Sequence, residues 1–229
     1  ASLMQYNMHV DTKHHENTSW LHTNLKSEGA VYMLSAITNR RSIRRYQNQP
    51  VPKHLIEKII QAGMLAPSSK NRQPWFFIVT AGPAKNDMLL AMRNGLLREK
   101  EHPFLAESTQ HQSGALRTLQ IMEQAPVVIL VVNSLGIDIR HPLHSEDRIY
   151  EICNAQSIGA AMENMTLTAS DLGLGSLWIC DTYFAYDELQ QWLNLRGELT
   201  AAMALGYANE SPAARPRKNM DEIVEWRIK

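Results

Sequence analysis

The longest strongly apolar run in this chain of 229 residues is 127–132, VVILVV, entered through Ala125 and Pro126. It is far too short to span a bilayer, which takes roughly 20 apolar residues. Its length and its β-branched side chains read instead as a buried strand. The chain must therefore build a core around that strand, and with 44% hydrophobic and 20% charged residues it has the means to do so. That balance excludes global disorder and suits one substantial soluble domain.

The segments on either side alternate irregularly between helix and strand periods. Tyr32, Leu34 and Ile37 open a short helix that runs into Asn39-Arg40-Arg41-Ser42. Pro52 suits the first turn of a helix carried by Leu55, Ile56, Ile59, Ile60, Gly63 and Met64, which should end before Pro67. Residues 75–80 read as a strand closed by Ala81-Gly82-Pro83. Residues 84–124 read as helical, broken at His102-Pro103. After a polar loop at 134–146, a long helical pattern passes through Ile149, Ile158, Met162, Met165 and Leu172 to a left-handed cap at Gly173. A short apolar piece at 177–179, a helix at 187–195 and a strand at 200–207 complete the pattern. No repeated βαβ unit is present, so the expectation is an α+β fold with a few-stranded sheet. Residues 1–30 are polar and aperiodic and read as an N-terminal extension, leaving 31–229 as a single domain.

Composition narrows the function classes. Lys+Arg and Asp+Glu both count 23, so no basic excess drives binding to nucleic acid or anionic lipid. Two cysteines, Cys153 and Cys180, make neither a disulfide framework nor a four-thiolate zinc site. His141 and His144 share a proline-containing loop without further ligands, so no metal is expected. Residues 1–30 show no basic start followed by an apolar run, and the expected compartment is the cytoplasm.

Four constellations carry chemistry. Arg40-Arg41-Ser42-Ile43-Arg44-Arg45-Tyr46 is either a solvated face or an anion grip, since guanidinium forks hold phosphate in two parallel bonds. Ala66-Pro67-Ser68-Ser69-Lys70-Asn71-Arg72-Gln73-Pro74-Trp75 is either an ordinary turn or a set of neutral donors and acceptors for a polar heterocycle. Leu172-Gly173-Leu174-Gly175-Ser176-Leu177-Trp178-Ile179-Cys180 carries two glycines that let backbone approach something closely, without dinucleotide-fingerprint spacing. Leu205-Gly206-Tyr207-Ala208 is followed by Pro212 and by Arg215-Pro216-Arg217-Lys218.

In this order and spacing the four motifs resemble the nitroreductase-like, FMN-dependent oxidoreductase family, over roughly residues 31–80 and 150–226. The resemblance implies a nitroreductase-like fold: a central, mostly antiparallel sheet flanked by helices in an intertwined homodimer, with FMN at the subunit interface. By similarity Arg40 and Ser42 bind the FMN phosphate, Arg41 lies near the ribityl chain, and Arg217 with Arg215 closes the phosphate site. Arg44 falls at the pyrimidine edge of the flavin, where a fixed cation favours the reduced form. Pro67, Ser68, Ser69 and Asn71, with Gln73 in support, come from the partner subunit. Trp178, Ile179 and Cys180 run beside the isoalloxazine ring. No side chain is needed as catalytic acid or base. Flavin N5 accepts hydride from NADH or NADPH and passes electrons to a nitroaromatic, quinone or similar small-molecule acceptor, in ping-pong order. Alternatives within the resemblance are a specialised member (flavin-cleaving, dehalogenating or enoate-reducing) and a flavin-binding protein without turnover. Neither nucleic acid nor membrane is an expected partner. Residues 84–146 carry no recognisable motif, and the substrate is the least legible property.

Overall fold

The computed structural model of the chain describes residues 33–104 and 108–228. Strand β2 (Val127–Asn133) is buried at every position. It earns that place because both of its edges are paired and both of its faces are covered. Strand β1 (Trp75–Ala81) runs antiparallel along one edge, with Phe77 opposite Val131. Strand β4 (Glu198–Gly206) runs antiparallel along the other, with Ile129 opposite Met203. Strand β3 (Gly175–Ile179) pairs with the far side of β4, giving the order β1-β2-β4-β3, antiparallel at every pairing.

Alternate residues of β2 face two separate cores, as a strand requires. Val128, Leu130 and Val132 join Met88, Met92, Leu119 and Met122 on one face. The methionines come from α3 (Gly82–Glu101) and α4 (Gln112–Gln124), and α6 (Tyr186–Leu193) adds Leu189. Val127, Ile129 and Val131 join Ile59, Ile158, Met162 and Met165 on the other. These belong to α2 (Lys53–Met64) and the long α5 (Ser145–Asp171). The short α1 (Ser35–Asn39) precedes them all.

The local signals explain most boundaries. Gly173, at φ 74°, ends α5 in a Schellman motif: its N–H donates to Ser170 O at 3.1 Å and Leu174 N–H to Ala169 O at 2.8 Å. The helix break at His102-Pro103 stands where the sequence puts it, between α3 and α4. Pro52 sits one position earlier than expected, as the N-cap of α2. Gly82 and Pro83 do not simply close β1; they open α3, where a proline in the first turn loses no intrahelical bond. The apolar piece at 177–179 is the end of a full edge strand. Beyond Glu210 the chain is an exposed arm with one 3₁₀ turn, Met220–Glu222, closed by a reciprocal Asn219–Glu222 cap. The expected 1–30 extension lies outside the described residues. Among the described residues no helix is long and apolar enough to cross a membrane.

Candidate functional site

The arginine-rich segment 40–46 lies as extended chain beside β3 and the end of β4. Ile43 N–H donates to Ser176 O at 2.9 Å, Gln47 N–H to Tyr207 O at 2.9 Å, and Asn209 N–H to Arg45 O at 2.9 Å. Ser42 bridges Ser176 and Tyr46 bridges Ala208. Ile43 and Tyr46 are buried, and this alternation fixes which way the arginines face. The Tyr46 hydroxyl donates to Ile43 O at 2.8 Å, and burial pushes its ionisation far above the ordinary range. Glu210, absent from the sequence expectation, clamps the same segment: one carboxylate oxygen accepts the N–H of Arg44 at 2.5 Å and of Arg45 at 3.2 Å. A lone glutamate in a polar tail carries no sequence signal for that role.

The tail then folds over the arginines. Arg40, Arg41, Ser42 and Arg44 line a cavity of about 300 Å³ together with residues 212–215 and Arg217. Five arginines from two ends of the chain thus meet in one place. Their guanidinium groups find mainly backbone carbonyls: Arg41 donates to Thr38 O at 2.8 Å, Arg44 to Ser42 O at 3.1 Å and Arg217 to Arg215 O at 3.3 Å. Arg40 approaches Glu163 only to 3.8 Å. Among the described residues no carboxylate pairs with the side chains of Arg41, Arg44, Arg215 or Arg217. Like charges this crowded repel unless an anion enters. A bare solvated face would not close a cavity with residues from the far end of the chain. The donor set, guanidinium forks plus the Ser42 hydroxyl, fits a phosphate dianion.

The loop at 67–74 does not line this cavity. It rests on α5 instead. Ser69 N–H donates to Ser157 Oγ at 3.3 Å, and the Arg72 guanidinium lies 4.2 Å over the Tyr150 ring. Gln73 N–H donates to Ser68 Oγ at 3.0 Å and its amide to Asn71 Oδ1 at 3.3 Å. Lys70, Asn71 and Gln73 all take positive φ, 53°, 52° and 49°. For lysine and glutamine that costs on the order of 1 kcal/mol each, and such strain clusters at functional loops. Pro67, Asn71 and Gln73 are exposed, while Ser68 and Ser69 are half-buried.

Ile179 is core, whereas Trp178 is 37% exposed with its ring beside Gly159 of α5. The outer edge of β3 is bridged at Ser176 only, so among the described residues the backbone of Trp178 and Ile179 has no strand on that side. Cys180 follows at the strand's end; partial burial, and then Asp181, push its thiol up, so it is a thiol at neutral pH. Cys180 and Asp181 border a second cavity of about 660 Å³. The structure therefore gathers Arg40, Arg41, Ser42, Arg44, Arg215 and Arg217, sets residues 178–180 further along the same edge, and keeps the 67–73 loop apart.

The model of the nitroreductase family matches residues 37–207. The chain belongs to the nitroreductase family. A protein of Methanothermobacter thermautotrophicus, provisionally named NADH dehydrogenase/NAD(P)H nitroreductase, is 29% identical over 198 residues, 83% of this chain and 85% of that protein. Among solved structures, a nitroreductase from Desulfovibrio desulfuricans in complex with FMN is 28% identical, with a TM-score of 0.62 over 86% of this chain and 97% of the other. A BluB-like flavoprotein from Clostridium difficile is also 28% identical, with a TM-score of 0.66 over 87% of this chain and all of the other. The family match ends at Tyr207, so the arm that carries Arg215 and Arg217 lies beyond it.

Proposed function

We propose that the protein is an FMN-dependent NAD(P)H oxidoreductase that reduces nitroaromatics, quinones or similar acceptors. The observation that carries this reading is the five-arginine cavity: a dianion is what its charge lacks. Arg40, Ser42, Arg215 and Arg217 would hold the FMN phosphate, with Arg41 toward the ribityl chain. Arg44 would face the pyrimidine edge, where its fixed charge favours electron uptake. The backbone of Trp178, Ile179 and Cys180, on the unpaired edge of β3, would lie along the ring. Bound there, FMN supplies two-electron chemistry, taking hydride from a nicotinamide and returning it to an acceptor. The D. desulfuricans relative is an FMN complex, and that supports the same cofactor here.

A homodimer completes the site in this reading. Pro67, Ser68, Ser69, Asn71 and Gln73 do not line their own chain's arginine cavity, and the exposed amides of Asn71 and Gln73 with the half-buried hydroxyls of Ser68 and Ser69 suit the partner's flavin. The arm beyond Glu210 supports an intertwined arrangement: Ile223, Trp226 and Ile228 are apolar and exposed on their own chain. A specialised reaction is the second reading, supported by the BluB-like structure and by rat iodotyrosine deiodinase 1, which is 27% identical over 52% of its length.

The test is the visible spectrum of the purified protein, chromatography of what acid releases, and steady-state NAD(P)H oxidation with menadione. FMN and turnover are expected. A colourless protein that takes up no added FMN overturns the cofactor assignment. An FMN-loaded protein without turnover leaves a flavin-binding function only.

A further inference from the structure

A third cavity, of about 360 Å³, lies where the loop after β2 meets the first turns of α5 and the start of β4. It shares no residue with the arginine cavity. Ile137, Ile139 and Ile152 give it apolar walls, and Glu151 and Glu198 bring two carboxylates to it. Glu198 is only 9% exposed. The loop packs directly on it: a β-carbon at Gly136 would come within 2.8 Å of Glu198 Cβ. Among the described residues no hydrogen bond reaches the Glu198 carboxylate; the Thr200 hydroxyl donates to its backbone carbonyl instead, at 3.2 Å. Glu151 accepts neutral donors only, the Asn133 side-chain amide at 3.2 Å and the backbone N–H of Ile137. Cations stand nearby without reaching either group. Asp138, the third carboxylate of the lining, is held by Arg140 at 2.8 Å, and Arg140 also holds Asp187 at 2.8 Å. Arg148 borders the cavity, is exposed, and pairs with no carboxylate among the described residues.

A carboxylate so buried and yet without a hydrogen bond is rare, because native interiors satisfy their polar groups. We propose that this cavity binds a small organic cation: a primary ammonium seated between Glu198 and Glu151, with its hydrocarbon body against Ile137, Ile139 and Ile152. The three N–H donors of an ammonium meet acceptors that lie open there, and charge-assisted bonds are the strong ones. Burial first, then Glu151 and Asp138, push the Glu198 carboxyl up to about 7, which is how a carboxylate behaves when it lacks a counter-ion. An inorganic ion fits less well. Among the described residues no group of three or more His, Cys, Asp or Glu side chains is placed to ligate a metal. Apolar walls also reward an organic body, which a bare ion does not have. The volume lies at the small end of ligand pockets and takes a single ring. This inference stands independently of the flavin reading, since it uses none of the arginines.

The probe is benzylammonium chloride, with benzyl alcohol as its neutral counterpart, added at pH 8 to the ¹⁵N-labelled full chain as purified. Amide shifts centred on Ile137, Glu151 and Glu198 are expected, with the ammonium binding at least tenfold more tightly than the alcohol. Equal affinities, or shifts centred on another cavity, overturn the proposal. So does the same pattern of shifts from sodium or magnesium chloride at equal concentration, which would make this a site for an inorganic ion. Glu198→Gln keeps the side-chain shape and removes the charge. It should weaken benzylammonium at least fivefold and leave benzyl alcohol unchanged; an unchanged affinity for the ammonium counts against the proposal. Arg148→Ala tests whether the protein fills the cavity itself. Binding that appears only in this variant would show the Arg148 guanidinium in the ammonium's place, and the proposal would fail. A protein that binds no FMN sinks the flavin reading, and these measurements still decide the cavity.

Discussion

Gly175 lies against Ile43: a β-carbon at residue 175 would come within 2.8 Å of Ile43 Cγ1 and 2.9 Å of its Cβ. The absent side chain lets the arginine segment seat on β3 and donate from Ile43 to Ser176. In Gly175→Ala the crowding falls on a buried side chain close to its own backbone, which cannot swing aside. Overpacking of this kind costs about 1–3 kcal/mol. The variant should show a lower urea midpoint and, because the arginines shift with Ile43, weaker FMN binding. Unchanged values for both would show that the contact relaxes freely.

Arg217 reaches the arginine cavity from an exposed arm and, among the described residues, bonds only to the carbonyls of Arg215 and Pro216, each at 3.3 Å. Its loss should leave folding nearly untouched, since exposed substitutions away from such features stay within about 0.5 kcal/mol. It should weaken phosphate binding tenfold or more, as charge-assisted bonds are the strong ones. Dialysis of Arg217→Ala followed by flavin quantitation checks this. Full retention of FMN would remove the tail from the phosphate site.

Glu99 anchors the wall of the 660 Å³ cavity from a fully buried position. In Glu99→Ala the Phe104 N–H and the Ser108 hydroxyl lose their acceptor, while Arg98 keeps Glu188 at 2.8 Å and the carbonyls of His102 at 2.9 Å and Phe184 at 3.4 Å. Leaving buried donors unpaired costs about 1–3 kcal/mol, and more when a charge is involved. A drop of about 3 kcal/mol in unfolding free energy is expected from denaturant titration. Glu99→Gln, which retains a carbonyl acceptor, should recover part of it. Equal losses in both variants would show that the negative charge, not the acceptor, is what the fold uses.

The fold was legible where short-range chemistry decides it. The β-branched run at 127–132, the Gly173 cap and the His102-Pro103 break each carry a local signal that tertiary contacts did not override. The arginine cavity was legible in its residue types, and its closure by Arg215 and Arg217 only through the family resemblance. Nothing local in Arg40–Arg44 says that residues 212–217 return to cover it, because contact between distant segments leaves no periodicity. Glu210 and Glu99 were invisible for a related reason: a carboxylate that accepts backbone N–H groups reads, in sequence, like any surface glutamate. The loop at 67–73 was legible as polar punctuation, while its three positive-φ residues were not, since none of them is glycine.

Glu198 makes stability depend on pH in a direction opposite to that of an ordinary surface carboxylate. It opens β4 opposite Asn133 of β2, 9% exposed, and its carboxyl is pushed up to about 7 by burial first, then by Glu151 and Asp138. In the unfolded chain the group ionises near its ordinary value, about 4.3. Between those values the folded state binds the extra proton. Stability contributed here is therefore present at low pH, falls as pH rises through that window, and levels off above about 7. Glu198→Gln removes the dependence. After allowance for solvent screening it should stabilise the protein by about 1–2 kcal/mol at pH 8 and by little at pH 4.5. Glu151, itself pushed up by burial and by Asp147, would also lose a like-charged neighbour and reinforce the gain. Urea unfolding of parent and variant at the two pH values measures the difference. An equal effect at both would mean that Glu198 is ionised throughout and that its burial is compensated in some other way.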